Sequence, residues 1–363
     1  MPEVQDIFAQ YSDSYRTIHK LSFAQKKAMK AIQCCRTSQL GGHMDNCPRC
    51  GYVKPSYNSC RNRHCPKCQT FSKERWIDAR KADLLNIGYF HIVFTVPQEL
   101  NGLIYGNQLE CYNLLFRCAA ETLQGLAADK KYLGAAIGHT AVLHTWGQNL
   151  CFHPHIHCIV PSGGLTSLGK WQSSRKKFFL PVCVLSRKFR GKFLALLKLQ
   201  LPDADQNLLN VCYQKEWVVY CKPPFRDAAC VVEYPGRYTH RVAISNNRIL
   251  KLESGNVTFK WRDYRDSSRW KEMTLRAEEF IRRFLMHVLP PGFKKVRHYG
   301  FLSSRGKQKN LKTCKLLTGT KLIQKEKLSA EQLIQKLLGR KPSQCPLCGY
   351  SGLLRTGLSP PAA

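Results

Sequence analysis

Acidic residues are scarce in this chain. Against 57 Lys and Arg it has only 24 Asp and Glu, which leaves a formal charge of +33 over 363 residues. A chain so basic repels itself unless a polyanion is its ordinary partner, and nucleic acid is the first candidate. Charge alone leaves a merely basic, ribosomal-type surface open. Long apolar runs are missing as well: none reaches the roughly 18 residues of a spanning helix, so no membrane partner is expected. The opening "MPEVQDIFAQYSDSYR" lacks the charged, then apolar, then small-residue order of a secretory leader, which points to a cytoplasmic protein. Disulfides are not expected there, so the 18 cysteines read as thiols and metal ligands.

Many of them crowd into one segment, "CCRTSQLGGHMDNCPRCGYVKPSYNSCRNRHCPKC". It holds two knuckles, Cys47/Cys50 and Cys65/Cys68. Each Cys-x-x-Cys lets two thiolates grip one ion from a tight turn, so these four are expected to form one tetrahedral zinc site. Redox Cys-x-x-Cys motifs are disfavoured, because no βαβ pattern surrounds them. Cys35, His43, Cys60 and His64 remain. Their alternation with the knuckles would allow a cross-braced module with a second zinc, and the long Cys35–His43 gap argues against it; one zinc or two stays open. Arg61, Arg63 and Lys67, set between the ligands, suit DNA contacts.

The rest of the chain alternates helical and strand-like stretches. Residues 5–34 have helical periodicity, and "FSKERWIDARKADLL" reads as a basic amphipathic linker helix. "YFHIVFTVP", "HTAVLHTW", "PHIHCIVPSGG", "EWVVYCK" and "VTFKWRDY" read as strands. "LIYGNQLECYNLLFRCAAETLQGLAA" and "RKFRGKFLALLKLQL" read as helices, as does "TLRAEEFIRRFLMHVLPPG" with Thr274 as its cap. This order suggests an α+β fold, an antiparallel sheet with helices on one face. Five stretches are expected: a helical arm (1–34), a zinc-binding domain (35–70), the main domain (71–250), a helical, basic DNA-binding extension (251–340) and a tail (341–363). The extension has a capping box at Ser329 and Gln332 and a stop at Gly339. The tail's "CPLCGY" (Cys345, Cys348) looks like half a zinc ribbon. No Cys or His follows it, so any partner ligands lie upstream, with Cys314 and His298 as candidates.

"PHIHCIV" sets His155 and His157 one residue apart. Strand side chains alternate, so both imidazoles point one way while Ile156, Cys158 and Val160 point the other. Such a pair could serve a zinc hydrolase, a cupin-type oxygenase or a nuclease. "YPGRYTH" adds Tyr234 and Tyr238, four residues apart, which on a helix share one face. A phenol beside a divalent ion in a DNA-binding protein suggests covalent phosphoryl transfer. Pro235 is acceptable only as a first helical residue, with Tyr234 at the cap.

"CRTSQLGGHMDNCPRCG", "YNSCRNRHCPKCQ", "HTWGQNLCFHPHIHCIVPSGG", "EWVVYCKPPF", "YPGRYTHRVAISNNRI" and "IRRFLMHVLPPGFKKVRHYGFL" together resemble the insertion sequence 91 family of rolling-circle transposases, from about Cys35 to Leu302. The resemblance implies a bacterial, nucleoid-associated enzyme: an antiparallel-sheet HUH nuclease (His, hydrophobic, His) with a zinc-binding domain in front. It implies that His155 and His157 hold a catalytic Mg2+ or Mn2+, and that Tyr234 and Tyr238 are nucleophiles toward single-stranded element ends and target DNA. Tyr238 ranks first, since the family usually has an ordinary helix former where this chain has Pro235. Related HUH nucleases often take a third ligand from an acidic or amide residue on the neighbouring strand, and Gln148 is the candidate here. His153, His144 and His91 rank behind it, because Pro154 interrupts the strand and hard ions prefer oxygen. Arg237 and Arg241 beside the tyrosines are expected DNA contacts. A plasmid relaxase, a replication initiator and a non-catalytic zinc-dependent DNA-binding protein are the alternatives.

Overall fold

The computed structural model describes residues 1–175, 179–222, 243–264, 266–322 and 328–361. The chain opens with α1 (Val4–Ile18), α2 (Phe23–Cys34), the hairpin β1 (Gly42–Asn46) and β2 (Val53–Tyr57), and α3 (Gln69–Lys81). Then come β3 (Tyr89–Thr95), α4 (Asn101–Gly106), α5 (Gln108–Ala128), β4 (His139–Trp146), β5 (Phe152–Pro161) and the small hairpin β6 (Gly163–Leu165) and β7 (Trp171–Ser173). The helices α6 (Val182–Gln200) and α7 (Gln206–Gln214) lead to β8 (Val219–Lys222). Later elements are β9 (Ile249–Glu253), β10 (Asn256–Asp263), β11 (Arg269–Arg276), α8 (Ala277–Met286), β12 (Val296–Tyr299), α9 (Lys307–Leu317), α10 (Ala330–Leu338) and β13 (Leu354–Leu358). The fold is α+β, and every strand pairing is antiparallel among the described residues. No helix among them is long and apolar enough to cross a membrane.

Two compact units divide the chain. The first takes the described residues within Met1–Arg75, His240–Val288 and Gln324–Ala363. Its core is helical: Ile7 and Phe8 of α1, Met29 and Ile32 of α2, and Phe280 and Phe284 of α8 are all buried. Phe8 and Phe284 meet edge to face at 5.2 Å. Two three-stranded sheets belong to the same unit, β13-β1-β2 and β11-β10-β9. The segment expected as a helical extension therefore contains a sheet. Burial alternates there, with Val257 and Phe259 inward and Lys260 outward, which is strand chemistry. Thr274 does not cap α8. It lies in β11, where its hydroxyl meets that of Thr258 at 2.9 Å, and the helix starts only where the ladder ends. The capping box at Ser329 and Gln332 and the left-handed Gly339 stop are present in α10.

The second unit, within Trp76–Thr239 and Leu289–Ile323, is built on the five-stranded sheet β12-β4-β5-β3-β8. One face is apolar. Ile156 and Cys158 of β5 are fully buried, and Phe94, paired with Ile156, lies 4.9 Å from Phe189 of α6. In α5, Cys111, Leu115, Ala119 and Leu123 recur at four-residue spacing and are buried, which explains how this helix packs on β4 and β5. The single helix expected over residues 103–128 breaks at Gly106. There the Asn107 side chain donates to the Leu103 carbonyl at 3.0 Å, so the side chain competes with the helical ladder.

His139 of β4 is fully buried, stacks on Tyr299 at 5.0 Å, and has no hydrogen-bond partner on either ring nitrogen among the described residues. Burial pulls its pKa down to about 3, helped by the charge of His298. The unfolded ring titrates near about 6.5, so the stability it contributes is complete above that pH and is lost as pH falls toward the folded value. Between about pH 6.5 and pH 4, the wild type should lose more thermal stability than His139→Leu. Parallel melting curves would disprove a buried neutral ring.

Candidate metal centre

β5 is the central strand of the second unit's sheet, and its burial alternates as far as Cys158. His153, His155 and His157 share one face, with the last two rings 4.8 Å apart. Pro154 has no N–H to donate, and the ladder with β4 shifts register between His144 and Trp146 to accommodate it. The strand therefore continues through the proline. On β4, His144 lies directly opposite His155. Ligand nitrogens of His144, His155 and His157 fall within 4.8 Å of one another, as a single ion requires.

Hydrogen bonds orient these rings. His155 Nδ1 meets the His153 carbonyl at 2.6 Å, which makes Nδ1 the donor and leaves the Nε2 lone pair for a metal. His157 Nδ1 meets His91 Nε2 at 2.7 Å, in rings stacked within 2°. The buried His157 Nε2 has no hydrogen-bond partner among the described residues, an expensive arrangement unless an ion takes its lone pair. Burial first, then the neighbouring histidines, holds the His157 ring well below its usual pKa and takes His155 down to about 3. Both are neutral at physiological pH, the state that binds metal. His91→Phe would keep the stacked ring and delete the nitrogen contact. Its affinity for Mn2+ should fall roughly 10–100-fold in a calorimetric titration; unchanged affinity would reduce the contact to packing.

The cysteines of the first unit gather into two tetrads, divided differently from the single expected site. Cys65 and Cys68 join Cys35 and Cys60, and Cys47 and Cys50 join Cys345 and Cys348. Within each tetrad the ligand atoms lie within 4.8 Å of one another. Cys35 and Cys60 come to 3.4 and 3.5 Å from Cys68. A Zn–S bond of about 2.3 Å in a tetrahedron requires sulfurs about 3.8 Å apart, so the spacing suits zinc. Hydrogen bonds from Cys60 and Cys65 hold the Cys68 thiol far below the ordinary range, while those with Cys60 and Cys68 push Cys65 far above it. Cys60, Cys65 and Cys68 thus share protons unequally, and a divalent cation would be held by the tetrad as thiolates.

Residues 7–96 match the family profile described as "Transposase zinc-binding domain", and residues 138–310 match the one described as "Putative transposase". The chain is 47% identical over 369 residues to "Putative transposase y4qJ" of Sinorhizobium fredii (strain NBRC 101917 / NGR234), across 96% of this chain and 93% of that protein. The chain belongs to the IS91 family of transposases. "Transposase for insertion sequence element IS801" of Pseudomonas savastanoi pv. phaseolicola is 28% identical over 351 residues, 90% of this chain and 84% of that protein. No solved structure matches the chain.

Tyr234, Tyr238, Arg237 and Arg241 lie outside the described residues. Gln148 is in the turn between β4 and β5, half-buried, and the third nitrogen beside the histidine pair comes from His144. His43 joins neither tetrad; its Nε2 faces the Asp45 carboxylate at 3.4 Å. His64 is buried outside both tetrads as well. Lys67 is held by Glu3 and Gln5 of the α1 region, which draws its charge away from solvent. Arg63 is half-buried, and burial lowers its pKa; Arg61 is exposed. Neither upstream candidate partners the tail knuckle. Cys314 sits in an apolar cluster with Leu85 and Tyr89, and His298 meets Thr140 and Arg80 at 2.9 Å. His144 was legible as a strand residue, but its register opposite His155 depends on the bulge.

Proposed function

We propose that this transposase is an HUH-type nuclease that cuts one DNA strand at an element end and rejoins it elsewhere, as in rolling-circle transposition. The observation that carries the reading is the convergence of His155 and His157, neutral imidazoles on the central strand β5, with His144 of the neighbouring β4. A buried nitrogen without a partner among the described residues, within a group of three imidazole donors, fits a divalent cation. Imidazole donors are softer than the oxygens Mg2+ prefers, so Mn2+ is the better fit, with Gln148 as an added oxygen donor. The ion would neutralise charge on the non-bridging phosphate oxygens.

The chain's own groups supply the rest. The phenol oxygen of Tyr238 attacks the phosphorus of the scissile phosphate and loses its proton. The bond from phosphorus to the 3′ oxygen breaks, and that oxygen leaves as a hydroxyl after taking up a proton. A 5′-phosphotyrosine remains, and it conserves the bond energy for rejoining without ATP. Tyr234 is available for the second strand event. The charge of +33 favours a polyanionic substrate, and Arg61, Arg237 and Arg241 are proposed phosphate contacts. Incubating the purified protein with labelled single-stranded element-end oligonucleotides and Mn2+ or Mg2+ tests this. A nicked product and a covalent adduct on a denaturing gel are expected; salt-sensitive binding without cleavage would refute the reading.

A further inference from the structure

The segment that matches the zinc-binding domain, residues 7–96, contains one complete sulfur tetrad, Cys35/Cys60/Cys65/Cys68, and only half of another. The missing half arrives from the far end of the chain. Cys50 Sγ lies 3.6 Å from Cys345 Sγ across a sequence separation of 295, and Cys47 Sγ lies 3.7 Å from Cys348 Sγ across 301. We propose that Cys47, Cys50, Cys345 and Cys348 form a second structural zinc site, which fastens the C-terminal tail to the N-terminal zinc-binding domain.

The two knuckles are built alike. "CPRCGY" (47–52) and "CPLCGY" (345–350) differ at one position. In each, the glycine after the second cysteine is left-handed, with φ of 69° at Gly51 and 71° at Gly349. Its N–H donates to the carbonyl of the first cysteine at 3.0 Å in both, Gly51 to Cys47 and Gly349 to Cys345. The first cysteine's N–H donates at 2.8 Å to the residue after the glycine, Cys47 to Tyr52 and Cys345 to Tyr350. Two copies of one turn therefore face each other, thiol to thiol. The cross-pair distances match the roughly 3.8 Å of a tetrahedral Zn–S4 centre and are far from the roughly 2.05 Å of a disulfide.

The backbone is shaped to receive the tail. β13 pairs with β1 over five residues, from Gly42↔Leu358 to Asn46↔Leu354. Arg355 donates to Asp45 across that pairing at 2.8 Å, and Asp45 also accepts from Ser56 at 2.9 Å. At Gly41, φ is +62° and a Cβ would stand 2.6 Å from the Leu358 carbonyl, so only glycine fits there. Apolar burial contributes little. The β13 residues are mostly exposed, and Leu354 is 60% exposed. An edge strand with so little core needs another source of stability, and a shared metal supplies it.

The inference rests on zinc binding by the family and is independent of nicking. Metal analysis of the purified full-length protein should find two zinc ions per chain, and a Cys345→Ser, Cys348→Ser double variant should hold one. Alkylation mapping of the wild type by mass spectrometry covers the case in which that variant misfolds. During graded chelation, Cys47, Cys50, Cys345 and Cys348 should become reactive together as one zinc is released, apart from the Cys35 tetrad. Cys345 and Cys348 reacting while both zinc ions stay bound would overturn the site. So would a folded double variant that retains two zinc ions, or a wild type with a single zinc bound at the Cys35 tetrad.

Discussion

His157→Ala is expected to leave the transposase folded and able to bind DNA while abolishing metal-dependent nicking. His157 projects from the middle of the sheet's central strand, and its buried Nε2 has no partner among the described residues. Removing the ring gives up the 2.7 Å contact of its Nδ1 with His91 Nε2, a cost on the order of 1–3 kcal/mol that should leave the sheet folded. Catalysis is another matter. An ion that neutralises a transferring phosphoryl group is worth several kcal/mol, and about 4 kcal/mol corresponds to roughly a thousand-fold in rate. The loss should exceed the roughly 10–100-fold expected when only a supporting hydrogen bond is removed, as in His91→Phe. His153→Ala is the control: the residue shares the face but not the ligand set, and its carbonyl, which orients His155, survives the change. Full nicking by His157→Ala, measured with Mn2+ and with Mg2+, would remove the basis of the HUH reading.

What was readable in the sequence was local, and what was not depended on long-range contacts. The alternation in "PHIHCIV" is enough to put two imidazoles on one face, because strand geometry reverses direction at every residue. The proline beside them suggested an interruption, yet a register shift on β4 absorbs it and brings His144 opposite His155. Preference of hard ions for oxygen favoured Gln148; cross-strand register, invisible without the fold, brings the His144 nitrogen to the pair. The knuckles show the same divide. Each Cys-x-x-Cys-Gly is a self-contained turn, legible wherever it occurs, but nothing local says which two turns share an ion. Pairing the nearest knuckles joined Cys47/Cys50 to Cys65/Cys68, whereas strand β13, formed at the far end of the chain, brings Cys345/Cys348 to the first of them. His43 was drawn into the count by spacing alone and is engaged with Asp45.

Tyr238→Phe should eliminate the covalent protein–DNA adduct, and Tyr234→Phe should not. Phenylalanine removes one hydroxyl and keeps the ring, so packing is preserved and the loss reports nucleophilicity directly. The ranking rests on the family resemblance: the family usually has an ordinary helix former where "YPGRYTH" has Pro235. Pro235 lacks an N–H and fixes φ at about −65°, so a helix begun here would have it at the first position and Tyr234 at the cap. Gly236 weakens the turn that follows. In such a helix Tyr238 would come after both, a firmer mount for an attacking oxygen than a cap position. On a labelled single strand with Mn2+, Tyr238→Phe should lose the adduct band completely. Tyr234→Phe should keep first-strand cleavage detectable while completed transposition in cells drops sharply, since the second strand event then lacks its phenol. The opposite pattern, an adduct lost in Tyr234→Phe alone, would make Tyr234 the primary nucleophile. Pro235 would then act as the device that positions it.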